Sequence, residues 1–413
     1  MMLVSLSCKL THTHLIKPLD MSGIRLIESV EWVFQLVGPI YGQRAASREW
    51  YLTITKWLSQ VGFTQCKNEP CLFMNSETGI KVLLYVDDLI VRGSPAESEK
   101  FHDQLEERFD CRTGSRQILS PEHPVDFTGM TLTMEKGVNL DSYYLDQTQS
   151  LTAFLVTHDL DSGPVRDCPM PNAKVLTRSP ELVDDEQSSW CKSINGALHH
   201  FARCCRWDIS HAVSRLSQVN KSPTVGMVDS IKYLAGYLKG TLDQRLGGPR
   251  PIDTDRIMSF TDSDFHGDRT FTSLSQTGVL ILLNGIPCHW RSNRQPRSAD
   301  SPACAEIYAL KEGVRDSRLF HWVASEMGVK VDYPFCVQVD SKQACSFNYS
   351  TCPKSDIRGS FDWREDWVQE IRDLSVVKTE YVRSCQNLAD ILTKCLSRVD
   401  FCRLFNMISG IVV

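Results

Sequence analysis

Two adjacent carboxylates, Asp87 and Asp88, lie between two short apolar runs, residues 82–85 and 89–91. The pattern predicts a β-hairpin with both acids at its tip, because Asp tolerates turns and the flanking residues favour strands. Adjacent side chains of a regular strand point to opposite faces, so one turn that presents two carboxylates is an unusual use of charge. Phosphoryl transfer explains the pair, since two divalent metals roughly 3.5–4 Å apart need carboxylate ligands. The alternative is an ordinary solvated turn.

Four further acids occur at the ends of predicted elements in the C-terminal part of the chain. Asp262 and Asp340 each follow an apolar strand, and Glu306 and Asp390 each lie near the start of a helix. The predicted element order is β-β-β-α-β-α-β-α, with the third strand near residues 286–290. A two-metal nuclease needs three or four acids from separate elements, because one element cannot surround both ions. Mutual repulsion makes the same convergence costly in a purely structural site, although each acid alone fits a helix cap or a solvated position.

The bulk composition is typical of a soluble globular protein. The chain has 413 residues, of which 42% are hydrophobic and 23% are charged, and this length predicts two or three domains. A formal net charge of −5 does not indicate a nucleic-acid binder. Residues 201–250, however, hold eight basic and three acidic side chains, a local charge of +5. That segment could follow a nucleic-acid backbone or form a solvated helical face.

Cysteine spacing and hydropathy indicate an intracellular protein without a membrane span. The 16 cysteines form no Cys-x-x-Cys pair and no Cys/His cluster with zinc-finger spacing, and nothing resembles a signal peptide. Reduced thiols in a cytoplasmic or nuclear protein are therefore expected. The longest apolar run, residues 278–283, is far shorter than a membrane span. The sequence also has no serine or cysteine nucleophile motif and no Gly-rich phosphate loop.

The hairpin sequence LLYVDDLIV, residues 83–91, resembles the polymerase hairpin of reverse transcriptases, and in particular that of copia-type retrotransposons. Residues 41–50 resemble a block of that family that lies near the incoming nucleotide and the template. Tyr41, Gly42 and Arg48 match the block, as does the Trp at its end. The resemblance continues through a thumb and a helical connection to about residue 396. It implies that both hairpin acids bind metal in the palm.

The C-terminal acids and element order resemble the ribonuclease H domain of the same family. This resemblance implies that Asp262, Glu306, Asp340 and Asp390 bind Mg²⁺ or Mn²⁺. It also implies nucleic-acid partners, namely an RNA template and an RNA–DNA hybrid. The expected fold class is α+β and α/β, with a partial reverse-transcriptase palm and thumb joined by a helical connection to a ribonuclease H-like mixed-sheet domain. The expected boundaries are 1–171 for the partial reverse transcriptase, 172–189 for a linker, 190–250 for the connection, 251–400 for the ribonuclease H-like domain and 401–413 for a tail.

One palm carboxylate has no counterpart in this sequence. In the family it precedes an apolar Phe-Leu segment, and the corresponding residues 3–10 hold no Asp or Glu. The fingers are missing with it, so either the chain is truncated at its N-terminus or the block has decayed. Ala45 and Ser47 also replace the family's Gln and Pro. We therefore expect weak or no DNA synthesis from this chain alone.

Three interpretations follow from the sequence. The first is a fragment of a copia-type Pol polyprotein with an impaired RNA-directed DNA polymerase and an RNA–DNA hybrid ribonuclease H. The second is a catalytically dead remnant that only binds nucleic acid or acts as an interaction surface. The third is a stand-alone hybrid nuclease that uses the palm as a scaffold. Metal binding distinguishes the second from the others, because a collapsed acid site takes up no Mg²⁺ or Mn²⁺.

Overall fold

A computed structural model describes residues 46–109, 111, 116–138, 140–170, 181–248, 257–267, 273–349 and 363–410. The chain divides into two compact units, Met1–Met134 and Glu135–Val413. Within the described ranges, no helix combines the length and hydropathy that a membrane span requires. The mixed helix-and-sheet fold class expected from the sequence is confirmed, and the finer domain boundaries stay a prediction.

The first unit carries the predicted hairpin within a four-stranded antiparallel sheet whose strands follow sequence order. Tyr85 pairs with Asp88, so Val86 and Asp87 form the turn between the two hairpin strands. The elements of the first unit are α1 (Ala46–Gln60), β1 (Thr64–Gln65), β2 (Leu72–Met74), β3 (Lys81–Tyr85), β4 (Asp88–Arg92), α2 (Pro95–Arg108), β5 (Val125–Phe127) and β6 (Met130–Glu135), whose last residue is the first of the second unit.

Helix α2 begins at a capped N-terminus. The Ser94 hydroxyl accepts a hydrogen bond from the backbone N–H of Glu97, and Pro95 occupies the first helical position. Phe101 and Leu105 of α2 share one hydrophobic cluster with Ile54 of α1 and with β3 and β4. The two helices therefore support the strands that carry the Asp pair.

The second unit combines helices of the expected connection with a mixed sheet. Its elements are β7 (Ser142–Asp146), α3 (Thr148–Thr157), α4 (Asp185–Cys204), α5 (Ser210–Gln218), α6 (Val225–Gly240), β8 (Leu246–Gly248), β9 (Ile257–Asp264), β10 (Gln276–Leu283), β11 (Ile286–Arg294), α7 (Pro302–Glu326), β12 (Phe335–Val339), α8 (Lys342–Tyr349), α9 (Trp363–Asp373), β13 (Val377–Tyr381) and α10 (Arg398–Ser409). Short 3-10 helices occur at Trp207–Ile209, Ser384–Gln386 and Leu388–Leu392.

The connection helices and the sheet share one hydrophobic core. A single cluster of buried residues draws on α3 to α6, on β9 and β10, and on the chain from Leu388 to Ile408. Helix α4 also begins earlier than the sequence pattern indicated, at Asp185, because the Asp184 carboxylate caps it by accepting from the backbone N–H of Gln187. The helices α3 to α6 therefore pack directly against the sheet that contains β9 and β10.

The five-stranded sheet has the order β11-β10-β9-β12-β13. Strands β9, β10 and β11 form an antiparallel meander, and β12 runs parallel to both β9 and β13. The third strand expected near residues 286–290 is therefore confirmed as β11. Two helices, α8 and α9, lie between β12 and β13 where the sequence pattern indicated one.

The last predicted helix differs from the expectation. The chain forms a short 3-10 helix at Leu388–Leu392, and the α-helix α10 starts only at Arg398. The Asn387 side chain accepts from the backbone N–H of Ala389, and its amide donates to the Thr261 carbonyl of β9 at 2.9 Å. This contact holds the 3-10 helix against the sheet.

Candidate metal centre

Three acids meet at one edge of the mixed sheet. Asp262 lies near the end of β9 and Asp340 directly follows β12, and the ends of neighbouring parallel strands lie at the same edge. Asp390 comes from the 3-10 helix Leu388–Leu392. One carboxylate oxygen from each lies within 4.8 Å of the others. We call these three residues and Glu306 the acid cluster.

Glu306, in the N-terminal part of α7, lies near Asp262 and Asp340 but outside the 4.8 Å group. Burial, together with the charges of Asp262 and Asp340, raises the pKa of Glu306 to about 9. The backbone N–H of Ser263 donates a hydrogen bond to the Glu306 carboxylate, while its Oε2 is buried without a hydrogen-bond partner. An unpartnered buried oxygen costs free energy, and a bound cation removes that cost.

Three acids of the cluster, Asp262, Asp390 and Glu306, have pKa values raised toward the neutral form. Asp262 is fully buried, and this burial raises its pKa despite the nearby Lys394. Burial, followed by the charge of Asp262, raises the pKa of Asp390 to about 7. Perturbed acids in contact are typical of functional sites. All the donors are carboxylate oxygens, which suit Mg²⁺ and Mn²⁺, so the residues fit the metals that the sequence pointed to.

Lys394 supplies a positive charge inside the cluster. Its Nζ lies 3.2 Å from Oδ1 of Asp262 and 2.8 Å from Oδ1 of Asp390. The Thr393 hydroxyl donates to Oδ2 of Asp262. The sequence analysis did not single out Lys394 or Thr393. Asp390 and Lys394 are four residues apart, the separation at which side chains meet on a helix. This spacing is the feature of the sequence that could have identified Lys394.

Buried contacts fix the elements that carry the acids. The Gln295 side-chain amide donates to Ser263 of β9 at 3.2 Å, Thr277 of β10 at 3.1 Å and the Ala305 carbonyl of α7 at 2.9 Å. A Cβ at Gly313 would lie 2.0 Å from the Thr261 methyl, so α7 approaches β9 closely only because this residue is glycine. The backbone of α7 thereby brings Glu306 to the sheet edge.

A second glycine makes room for the 3-10 helix. Gly278 of β10 pairs directly with Asp262, so a side chain at position 278 would stand beside that carboxylate. A Cβ there would lie 2.7 Å from the Thr393 methyl and 2.9 Å from the Ala389 carbonyl oxygen. Both separations are too short for a methyl group to fit without movement of residues 388–394.

Gly278→Ala is therefore expected to displace Asp390 and Lys394 from Asp262 and to weaken Mn²⁺ binding by about tenfold or more. An Mn²⁺ titration followed by electron paramagnetic resonance measures the change. Gly196→Ala is the matched control, because a Cβ at Gly196 of α4 meets nothing within 4 Å. Equal Mn²⁺ affinity in the two variants would show that Gly278 does not set the geometry of the cluster.

The hairpin acids lie where the sequence placed them, at the tip of β3 and β4. Asp87 is half-buried in the turn and Asp88 is buried at the start of β4. Val86 has a φ of +53°, a left-handed conformation that β-branched residues rarely adopt and that often marks functional sites. The Trp50 indole donates to the Val86 carbonyl at 2.6 Å. Among the described residues, neither Asp belongs to a group of three potential ligands within 4.8 Å.

The block expected near the nucleotide and the template is only partly described. Arg48 is exposed on α1, two residues before Trp50. Tyr41 and Gly42 lie outside the described residues, as do residues 3–10, where the first palm carboxylate was sought.

The basic segment, residues 201–250, offers fewer surface charges than its composition suggests. Arg206 is buried and forms a salt bridge of 2.7 Å with Asp208, and Arg215 is also buried. Arg203, Lys221, Lys232 and Arg245 remain exposed, and Arg245 pairs with Glu135. The net charge of the segment does not distinguish exposed cations from buried ones that are paired with an acid, such as Arg206.

Comparison with known proteins gives matches over most of the chain. Residues 9–118 match the family described as "Reverse transcriptase (RNA-dependent DNA polymerase)". The chain is 26% identical over 391 residues to the retrovirus-related Pol polyprotein from transposon TNT 1-94 of Nicotiana tabacum, which covers 92% of this chain and 28% of that protein. It is 27% identical over 382 residues to the Pol polyprotein from transposon RE2 of Arabidopsis thaliana, covering 90% and 25% of the two chains. The chain thus spans less than a third of the length of these relatives.

Solved structures similar to part of the chain include LC11-RNase H1, isolated from compost by a metagenomic approach. That enzyme is 18% identical, with a TM-score of 0.27, and the match covers 34% of this chain and 94% of that one. The same enzyme in complex with an RNA/DNA hybrid gives 19% identity, a TM-score of 0.26 and coverages of 33% and 94%. The mixed-sheet fold of the second unit is assigned from the strand order of the five-stranded sheet and not from these TM-scores.

Proposed function

We propose that this chain, which is related over most of its length to the Pol polyproteins of copia-type retrotransposons, is a metal-dependent nuclease for RNA–DNA hybrids. The acid cluster of the second unit is its active site. In this proposal the RNA strand is the one that is hydrolysed. The polymerase hairpin of the first unit is impaired.

The convergence of Asp262, Asp340 and Asp390 within 4.8 Å is the observation that carries the proposal. Four acids in one place are unfavourable without cations, and each of the three raised pKa values reflects that cost. The buried, unpartnered Oε2 of Glu306 is a further potential ligand atom, and Asp262 and Asp340 are near enough for their charges to raise the pKa of this residue. Divalent ions held by these carboxylates would supply the positive charge that activates water at neutral pH and stabilises the leaving oxygen of the phosphodiester.

The side chains around the cluster have distinct roles in this proposal. The four carboxylates hold the ions, and the Thr393 hydroxyl fixes the orientation of Asp262. Lys394 balances the negative charge of the cluster before the ions bind. Arg203, Lys221 and Lys232 are exposed on the connection helices and the loop between them, where they can contact backbone phosphates of the hybrid.

The polymerase half is proposed to retain its fold and little activity. Asp87 and Asp88 would hold metal ions in the palm, and Tyr41, Gly42 and Arg48 would lie near the nucleotide and the template. No acid occurs at residues 3–10 to complete the palm. Primer extension on an RNA template should therefore be weak or absent, and extension at a rate typical of reverse transcriptases would contradict this part of the proposal.

A catalytically dead remnant that only binds nucleic acid is the second candidate. The departures at Ala45 and Ser47 and the absence of an acid at residues 3–10 favour it for the polymerase half. The complete acid cluster argues against it for the second unit. Binding of a hybrid without cleavage in any metal is the behaviour that this candidate predicts.

Cleavage of a labelled RNA–DNA hybrid by the purified full chain tests the proposal. We expect the RNA strand to be cut in Mg²⁺ or Mn²⁺, and Asp340→Asn to lower the rate at least about a hundredfold, because it removes a ligand charge. Asp332→Asn is a matched control, since Asp332 is exposed before β12, whereas Asp340 follows that strand. A folded protein that cuts no hybrid in either metal would overturn the proposal.

A further inference from the structure

Helix α5 of the connection contacts the segment that carries Asp390. His211 of α5 is buried, its Nδ1 has no hydrogen-bond partner, and the backbone carbonyl of Leu392 interacts with the ring. The Nε2 atom of the same ring lies 3.5 Å from Sγ of Cys395. Leu392 and Cys395 flank Thr393 and Lys394, the two residues that bond to Asp262. The imidazole therefore lies against both ends of the short stretch that closes the acid cluster.

A second set of hydrogen bonds joins α5 to the same carbonyl. The Gln276 side-chain amide of β10 donates to the Ser214 hydroxyl of α5 at 2.9 Å and to the Ser292 hydroxyl of β11 at 2.9 Å. The Ser292 hydroxyl then donates to the Leu392 carbonyl at 2.6 Å. Ser292 and Gln276 are buried, so these bonds are not replaced by water without cost.

We propose that helix α5 is a positioning element of the nuclease site, in which His211 and Ser214 act through the Leu392 carbonyl to hold residues 388–395 against Asp262. The inference rests on the proposed function and adds the residues that support it. The acid cluster then depends on the connection, so the mixed sheet alone does not form the complete metal centre. None of these residues touches the substrate or the metal, and each acts through Asp390 and Thr393.

The contacts fit a positioning role better than simple core packing. Helix α5 already buries Ala212, Val213 and Leu216 in the shared hydrophobic core, which satisfies its need for apolar contacts. A buried imidazole adds nothing to such packing that a leucine would not add, and it costs desolvation. Burial also lowers the pKa of His211 to about 3, so the ring is neutral near pH 7 and offers a single N–H donor. The Leu392 carbonyl and the Cys395 thiol are the groups of residues 388–395 next to this ring.

The test compares His211→Leu with His211→Gln in the full chain. Leucine fills the space but removes the donor, whereas glutamine keeps an amide N–H at about the reach of the imidazole Nε2. An Mn²⁺ titration followed by electron paramagnetic resonance gives the affinity, and thermal unfolding in EDTA gives the stability without metal. We expect His211→Leu to weaken Mn²⁺ binding about tenfold and His211→Gln to restore it to within about threefold of the wild type.

Asn195→Ala is the control for a purely structural effect. Asn195 is buried on α4 and donates to the Ser217 hydroxyl of α5 at 3.1 Å, so its loss loosens α5 without removing a bond to Leu392. The control should lower the melting temperature and leave the Mn²⁺ affinity unchanged. Gln276→Met, which breaks the second set of bonds, serves in place of His211→Leu if that variant does not fold.

The outcomes separate this inference from the proposed function. A wild type that binds Mn²⁺ together with a His211→Leu variant that binds it equally well would overturn the positioning role and leave the nuclease proposal intact. Equal losses of affinity in His211→Leu and Asn195→Ala would also overturn the positioning role. A folded wild type that binds no Mn²⁺ would overturn the proposed function and this inference with it.

Discussion

Glu306→Gln should make the metal-free protein more stable than the wild type at pH 8, by about 1–3 kcal/mol. Burial and the neighbouring acids raise the pKa of Glu306 from an ordinary 4.5 to about 9, and glutamine mimics the neutral form that the fold prefers. Between pH 4.5 and 9 the folded state binds more protons at this residue than the unfolded state. The free energy of unfolding of the metal-free wild type therefore falls as pH rises through this window.

Ionisation of Asp390 also lowers the free energy of unfolding of the metal-free protein as pH rises, but over a lower pH range. Its pKa is raised from 3.8 to about 7, so its cost is complete above pH 7, whereas the cost of Glu306 continues to grow toward pH 9. Divalent metal binds the ionised acids and should therefore stabilise the wild type more at pH 8 than at pH 6. The same metal should stabilise Glu306→Gln less, because one ligand charge is missing.

Urea unfolding in EDTA between pH 6 and pH 9 measures the first effect. Glu380→Gln is the matched control, since Glu380 is exposed on β13 and should give the pH dependence of the wild type. A wild type that is as stable at pH 9 as at pH 6 without metal would contradict the account of Glu306. A Glu306→Gln variant less stable than the wild type at pH 8 would contradict it as well.

Lys394→Met should produce two opposite effects. Loss of the ammonium group leaves Asp262 and Asp390 without their neutralising partner, so the metal-free protein should lose about 1–2 kcal/mol of stability at pH 8. The loss stays below the roughly 3–5 kcal/mol of a fully buried pair, because the Lys394 side chain is 35% exposed. Mn²⁺ affinity should rise about tenfold, because the ion no longer competes with a tethered cation.

Isothermal titration with Mn²⁺ and unfolding in EDTA together test this prediction. Lys378→Met is the control, since Lys378 forms an exposed pair with Glu380 and such pairs contribute little. Weaker Mn²⁺ binding in Lys394→Met would show that the ammonium group supports the ions and does not compete with them.

The sequence pattern was sufficient to predict the elements that carry the acids. Asp87 and Asp88 interrupt two apolar runs, and that local signal predicts a hairpin tip whatever the rest of the chain does. Asp262 and Asp340 end apolar strands, and strands that are parallel neighbours must present their ends at one edge. These patterns are local or follow from the order of the elements, so they can be recognised in the sequence alone.

The support of the cluster could not be predicted in the same way. Gly278 supports the cluster because it lies opposite Asp262 on the neighbouring strand. His211 supports it because α5 packs on residues 388–395. Both relations join positions that are distant in the chain and depend on strand register and helix packing. The 3-10 helix was expected as an α-helix, since the sequence does not show that Asn387 bonds to the Thr261 carbonyl. Net charge likewise did not show that Arg206 is buried against Asp208.

The central claim is that the second unit binds divalent metal through Asp262, Glu306, Asp340 and Asp390. Counting bound Mn²⁺ by electron paramagnetic resonance tests it most directly, in a chain that also carries Asp87→Asn and Asp88→Asn so that the hairpin cannot contribute. We expect saturable Mn²⁺ binding that weakens at least about tenfold on addition of Asp340→Asn and does not change on addition of Asp332→Asn. A folded chain that binds no Mn²⁺, or whose binding ignores Asp340→Asn, would contradict the claim.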